Sequence, residues 1–333
     1  MIGTRSRQPR QLAALAASLD QVLRMVALLA SIAVVMLLAG STPVTRGGPV
    51  SAAPDGTSNP VGQFTGTLPR FDHIFVVIME NRSFADILES GEAPYVSSLA
   101  GANGLATQYF PVTRGSLANY LALTGGDTFE HTGLCPYAGC PVHFPNFVDR
   151  LEAAGKTWRA YMESMPRACA TSSSGSYAVD HNPFVYFDDV RYNLSRCEKH
   201  VVSLQPLSAD LRSAARLPNF VWITPNLCHD MHNCDIATGD RWLANFLPSI
   251  FGSPAFTRQN SLLVLTWDEG NFTHRNQVAT ILVAPRHIRP GTRSAVRYNN
   301  YSLLRTIEVA WRLAPLTAND ARATPMADLF NSP

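Results

Sequence analysis

FDHIFVVIMENRSF, residues 71–84, contains a run from His73 to Met79 in which every position after the histidine is apolar. A strand with one wet face alternates polar and apolar residues; an unbroken run predicts a strand covered on both faces. Polarity then reverses at Glu80, Asn81, Arg82 and Ser83. Similar runs recur downstream at Phe220–Thr224 (FVWIT), Ser261–Trp267 (SLLVLTW) and Val278–Val283 (VATILV). Between them, helical patterns cover Ser116–Leu123, Phe147–Ala154, Asp240–Leu247 and Tyr301–Leu313. Buried strands alternating with helices predict an α/β fold, a largely parallel central sheet with helices on both faces. Sheets of this kind bind ligands beyond the carboxyl ends of their strands. Polar residues stand at those ends: Glu80 and Asn81 after the first run, Pro225 to Asp235 after FVWIT, Asp268 and Glu269 after SLLVLTW.

Upstream of this region the composition changes. Residues 1–40 place arginines ahead of an apolar stretch, Met25 to Gly40. As a helix that stretch would span about 24 Å, short of the roughly 30 Å hydrocarbon core of a bilayer. The arrangement predicts a secretory signal peptide or, left uncleaved, a signal anchor bringing membrane contact. Residues 41–67, rich in Pro, Gly, Ser and Thr, read as a flexible linker, and 68–333 as the folded domain. The chain carries a formal charge of +2, and its first fifty residues, with five arginines and Asp20, supply +4, which leaves −2 for the rest. A near-neutral domain has no electrostatic footprint for nucleic acid. All six cysteines follow the targeting segment. An even number in an exported chain predicts disulfides, and proximity favours Cys135–Cys140, Cys228–Cys234 and Cys169–Cys197 among fifteen pairings. No C-x-x-C spacing supports a zinc site.

The strand-end acids admit two readings. Each can cap the helix that follows. Together on one sheet edge, they repel one another unless a cation offsets them, and oxygen ligands with nearby histidine suit a divalent metal. Ser116, in RGSLANY (114–120), also admits two. It is a plain N-cap, or its hydroxyl, at a helix N-terminus that attracts anions, is a nucleophile that a metal activates.

The segments FDHIFVVIMENRSF, SLANYLALTGG (116–126), YAVDHNPF (177–184), PNFVWITPNLCHDMHNC (218–234), GDRWL (239–243), LTWDEG (265–270) and YNNYSLLRTIE (298–308) appear in this order. Together they resemble the phosphoesterase family of secreted acid phosphatases and phospholipases C, over about residues 70–315. The resemblance implies an alkaline-phosphatase-like fold and a divalent metal ion held by Glu80, Asn81, Asp268 and Glu269. It implies Ser116 as nucleophile, passing through a phosphoserine, and Asn119 with its amide on a phosphoryl oxygen. It places Asp230 and His232 at the phosphate or a metal, and His181 near the leaving group. It points to an exported enzyme that cleaves a phosphate monoester, small or carried on a phospholipid. Phospholipase C is the alternative within enzymes. From another class comes a catalytically weak surface-binding protein, because Asn300 stands where the family carries histidine. Asparagine donates a hydrogen bond but does not shuttle protons near neutral pH. On this view Asn300→His raises kcat, unless His274 already fills the role; otherwise Asn300 is a helix cap.

Overall fold

The computed structural model describes residues 66–131, 140–272 and 275–331. The expected signal segment, nearly all of the expected linker, His274 and Cys135, with its proposed bond to Cys140, lie outside the described residues.

The apolar run His73–Met79 forms β1, and all seven residues are buried. β5 (Phe220–Thr224), β6 (Ser261–Trp267) and β7 (Val278–Val283) form at the predicted positions, also buried throughout. Burial of consecutive residues, whose side chains point to opposite faces, requires cover on both faces. Four strands complete the sheet: β2 (Gly104–Tyr109), β3 (Trp158–Met162), β4 (Val201–Ser203) and β8 (Arg293–Ser294). The order is β4-β3-β5-β1-β6-β7-β2-β8. β1 lies at the centre, parallel to β5 and β6, and β3 is parallel to β5 and β4. The sheet is bordered by strands of three and two residues.

β7 departs from the parallel pattern, running antiparallel to both β6 and β2. The reason is the connection. A parallel return needs a crossover of a dozen or more residues, usually with a helix, whereas β6 and β7 are joined by the short segment 268–277. β1, β5 and β6 therefore share one carboxyl edge, and Met79 faces Trp267 across the β1–β6 pair.

The helices follow the expected pattern with shifted ends: Ser116–Gly125, Phe147–Ala153, Ile236–Phe251 and Asn300–Trp311. Ile236–Phe251 starts four residues early because the Asp235 side chain accepts a hydrogen bond from Thr238 N. Ser116–Gly125 is buried at every residue after Ser116, as expected of a helix that is apolar almost all round. It packs against Asn300–Trp311, while Pro94–Ala102 packs against Ile236–Phe251. There Asp240 accepts hydrogen bonds from Tyr95 N (3.1 Å) and Val96 N (2.9 Å), which satisfies free donors in the first turn of the neighbouring helix. Two of the three expected disulfides are present, Cys169–Cys197 and Cys228–Cys234. Among the described residues no helix is long and apolar enough to cross a membrane.

Candidate active site

Because Met79 faces Trp267, the next residue of each strand, Glu80 and Asp268, leaves the sheet at the same level. Backbone bonds fix both: Asp268 N donates to Met79 O at 3.0 Å, and Glu80 N to Asp230 O at 2.8 Å. The loop after β5 is thereby stitched to the end of β1. Arg82 adds to the stitch, donating to Met231 O (2.7 Å) and Cys234 O (3.0 Å). Asn81 takes φ of 50°, a left-handed conformation that asparagine tolerates, and its N–H donates to Asp268 Oδ1 at 3.1 Å.

Glu80, Asp230 and Asp268 are fully buried, and Glu269 is 4% exposed. None of the four caps a helix. The helix after β1 begins at Phe84, beyond Ser83, and among the described residues β6 is followed by β7 with no helix between them. Burial and the nearby charges of Asp268 and Asp230 push Glu80 well above the usual carboxylate range. Burial also raises Asp268. Burial and the Asp268 charge lift Glu269 to about 7.

Ser116 enters from the helix side. Gly115 is the residue before the helix, at φ of 121°, which an L side chain rarely adopts. Ser116 is therefore the first helical residue, not the cap, and its hydroxyl donates to Glu80 Oε2 at 3.0 Å. Gly115 N donates to Glu269 Oε2. Arg114 reaches back to Gly270 O (3.3 Å) and Asn271 O (3.1 Å). The loop before Ser116 and the β6–β7 hairpin are thus tied at both the acid and its shoulder.

His181 closes the third side from a short turn, Val179–His181. Its Nδ1 lies 3.4 Å from both Glu80 Oε1 and Asp230 Oδ2. Burial works against its charge, but the hydrogen bond and charge of Asp230 outweigh it and raise its pKa. His232 sits at the rim, exposed, its ring 5.7 Å from that of His181 and its Nδ1 2.7 Å from Asn233 Oδ1. Its N–H donates to Asp230 Oδ1 at 2.7 Å.

Asn119, expected to meet a phosphoryl oxygen through its amide, has that amide turned to the backbone ahead of Ser116. It is fully buried. Its Nδ2 donates to Thr113 O (3.1 Å) and Gly115 O (3.4 Å), and its Oδ1 accepts from Thr113 N (3.3 Å). In these contacts it braces the loop that presents Ser116. Asn300 is not a cap either; Asn299 fills that place, accepting from Ser302 N. The pattern reading passed over Tyr120, whose hydroxyl donates to Glu80 Oε1 at 2.5 Å. Its spacing, one helical turn after Ser116, was the available signal. His229 has its Nδ1 2.9 Å from both carboxylate oxygens of Glu163.

Among the described residues no three His, Cys, Asp or Glu side chains converge closely enough to hold a metal ion as they stand. The donors nevertheless fit a hard cation in kind. Two buried oxygens, Asn81 Oδ1 and Asp268 Oδ2, make no hydrogen bond, and Asp230 Oδ2 has the long 3.4 Å contact with His181 Nδ1. Buried polar atoms normally have a partner, so each calls for a protein, water or ion ligand.

A family model described as the Phosphoesterase family matches residues 86–314, starting six residues after Glu80. A phosphatidylinositol-3-phosphatase of Mycobacterium tuberculosis is 37% identical over 274 residues, 81% of this chain and 86% of that protein. A probable acid phosphatase of Kluyveromyces lactis is 30% identical over 79% of this chain and 63% of its own length. Among solved structures, an alkaline phosphatase superfamily protein from Vibrio parahaemolyticus superposes with a TM-score of 0.54 at 12% identity, covering 80% of this chain and 73% of that one. The lipoteichoic acid synthase LtaP from Listeria monocytogenes gives 0.54 at 10% identity over 83% and 79%. At such identities the likeness is one of fold.

Proposed function

The chain belongs to the phosphoesterase family, hydrolases of phosphate esters, and from that premise we propose that it is an exported, metal-dependent phosphatase cleaving phosphate monoesters through Ser116. The observation that carries the reading is the Ser116 hydroxyl bonded to Glu80 beside buried, underpartnered oxygens. Those oxygens would otherwise cost free energy. Export is supported by the basic and apolar segment in residues 1–40 and by the two disulfides, which persist in oxidising compartments.

Glu80, Asn81, Asp268 and Glu269 would hold the divalent ion. A cation so held neutralises negative charge on the phosphoryl group and lowers the pKa of a hydroxyl beside it. Glu80 orients the Ser116 Oγ. The first turn of Ser116–Gly125 points its free N–H groups toward the phosphoryl oxygens, where negative charge is stabilised. Ser116 Oγ, its proton lost to solvent, attacks phosphorus, the phosphorus–oxygen bond to the alcohol breaks, and a phosphoserine forms. His181, its pKa raised beside Asp230, delivers the proton to the departing alcohol, and water then releases inorganic phosphate. Asn119 keeps the nucleophile loop in place, and His232 lies where an incoming ester would pass.

A chromogenic phosphomonoester, with and without chelator, tests the proposal. Turnover should vanish on chelation and in Ser116→Ala, while the variant loses only about 1 kcal/mol of stability for one hydrogen bond. Wild-type rates in Ser116→Ala would remove Ser116 as nucleophile. A second reading makes the substrate a monoester on a phospholipid headgroup; the mycobacterial relative bearing a phosphatidylinositol-3-phosphatase name supports it. Vesicles containing phosphatidylinositol 3-phosphate separate the alternatives. Release of inorganic phosphate marks a phosphatase, release of a soluble inositol phosphate a phospholipase C, and binding without release a surface-binding protein.

A further inference from the structure

Glu80 is gripped at both oxygens by one helix. Ser116 and Tyr120 are four residues apart in Ser116–Gly125, so their side chains leave the same face one turn apart. The first donates to Oε2 at 3.0 Å and the second to Oε1 at 2.5 Å. Tyr120 and Glu80 are both fully buried. The tyrosine ring is stacked on His181, with centroids 5.7 Å apart and planes at 8°, and rests against Trp222 at 5.9 Å. The phenol therefore has no room to turn away. Tyr109 makes the contrast. It is as deeply buried, yet its hydroxyl has no hydrogen-bond partner.

We propose that Tyr120 is a positioning residue, which holds the Glu80 carboxylate so that Oε2 faces Ser116 and the cation site. It thereby joins the placement of that ligand to the helix that carries the nucleophile. The inference rests on the metal-dependent reading above. A carboxylate held at one oxygen rotates about its last torsion; held at both, it keeps one orientation, and such outer partners set how well a ligand binds.

The test uses the full chain, stripped of metal with chelator, and Mn2+ as probe, followed through the paramagnetic signal of the free ion. Tyr120→Phe keeps the ring and its stacking and removes one hydroxyl. It should weaken Mn2+ binding by about 10–100-fold, with kcat reduced and KM close to wild type. Tyr109→Phe should change neither. In a Glu80→Gln background, Tyr120→Phe should add no further loss, since the residue acts through Glu80. A wild-type chain that takes up no Mn2+ removes the metal reading and this inference with it. A wild-type chain that binds Mn2+, with Tyr120→Phe binding it equally well, overturns the role of Tyr120 alone. The tyrosine ultraviolet difference spectrum of wild type gives a reading that needs no variant. Saturating Mn2+ should perturb a buried tyrosine, and a flat spectrum overturns the proposal.

Discussion

Asn300 has both ends of its amide engaged. Its Oδ1 accepts from Val112 N at 3.0 Å and its Nδ2 donates to Asn119 O at 3.2 Å. It thus holds the segment before Ser116 to the helix that carries Ser116. The resemblance implies that this position has lost a proton donor and that Asn300→His raises kcat. The contacts reverse that expectation. The larger imidazole ring displaces both bonds, to the half-buried Val112 N–H and to Asn119 O, which costs about 1–3 kcal/mol, and disturbs the brace on the loop before Ser116. Asn300→His should therefore lower both the melting temperature and kcat, read by thermal unfolding and steady-state kinetics. A faster, equally stable variant would restore the proton-transfer account. That asparagine stands where the resemblance implies histidine is legible in the residues. What the asparagine does is not, because its partners lie 188 and 181 positions away. Tyr120 was missed for the same reason: its identity is local, and its acceptor is 40 residues upstream.

At the scale of elements, the strands could be read because burial on both faces leaves an unmistakable pattern, and the carboxyl-edge rule then located Glu80 and Asp268. The direction of β7 was less accessible, since it depends on the shortness of a connection and not on the strand's own composition. The loop between β5 and Ile236–Phe251 shows how tightly such connections are fitted. A Cβ on Gly239 would stand 2.4 Å from Met231 Cγ and 2.9 Å from His229 O. Met231 is itself fully buried, at φ of 79°. These two residues flank Asp230, so crowding at Gly239 displaces the acid. Gly239→Ala should cost about 1–3 kcal/mol from overpacking and reduce kcat more than a surface Gly155→Ala control, whose Cβ meets nothing within 4 Å although its φ of 69° adds strain. Equal effects in the two variants would argue against a packing link from this helix to Asp230.

For the molecule as a whole, the buried acids couple stability to pH. Without metal, Glu80, Asp268 and Glu269 hold protons more tightly in the folded state than in the unfolded chain, Glu269 to about 7 from 4.5. Across that window the folded state carries more protons, so the contribution of these groups to stability falls as pH rises. A cation that displaces the protons stabilises most where they have already left. The gap in melting temperature with and without saturating Mn2+ should widen from pH about 5 to about 8; an unchanged gap would argue against a metal at these carboxylates. The disulfides divide along similar lines. Closing a 28-residue separation, Cys169–Cys197 should contribute about 3–4 kcal/mol and Cys228–Cys234, at 6, about 2. The second pair encloses Asp230, so its serine double variant should lose more activity and the first pair's more stability, as kinetics and denaturant unfolding will show. The borders of the sheet carry a last consequence. A neighbouring copy seeking to add a strand meets only the three residues of β4 or the two of β8. Few backbone groups are thus offered as a template, so the apolar central strands β1, β5, β6 and β7 are shielded from edge-to-edge growth by the brevity of the outermost two.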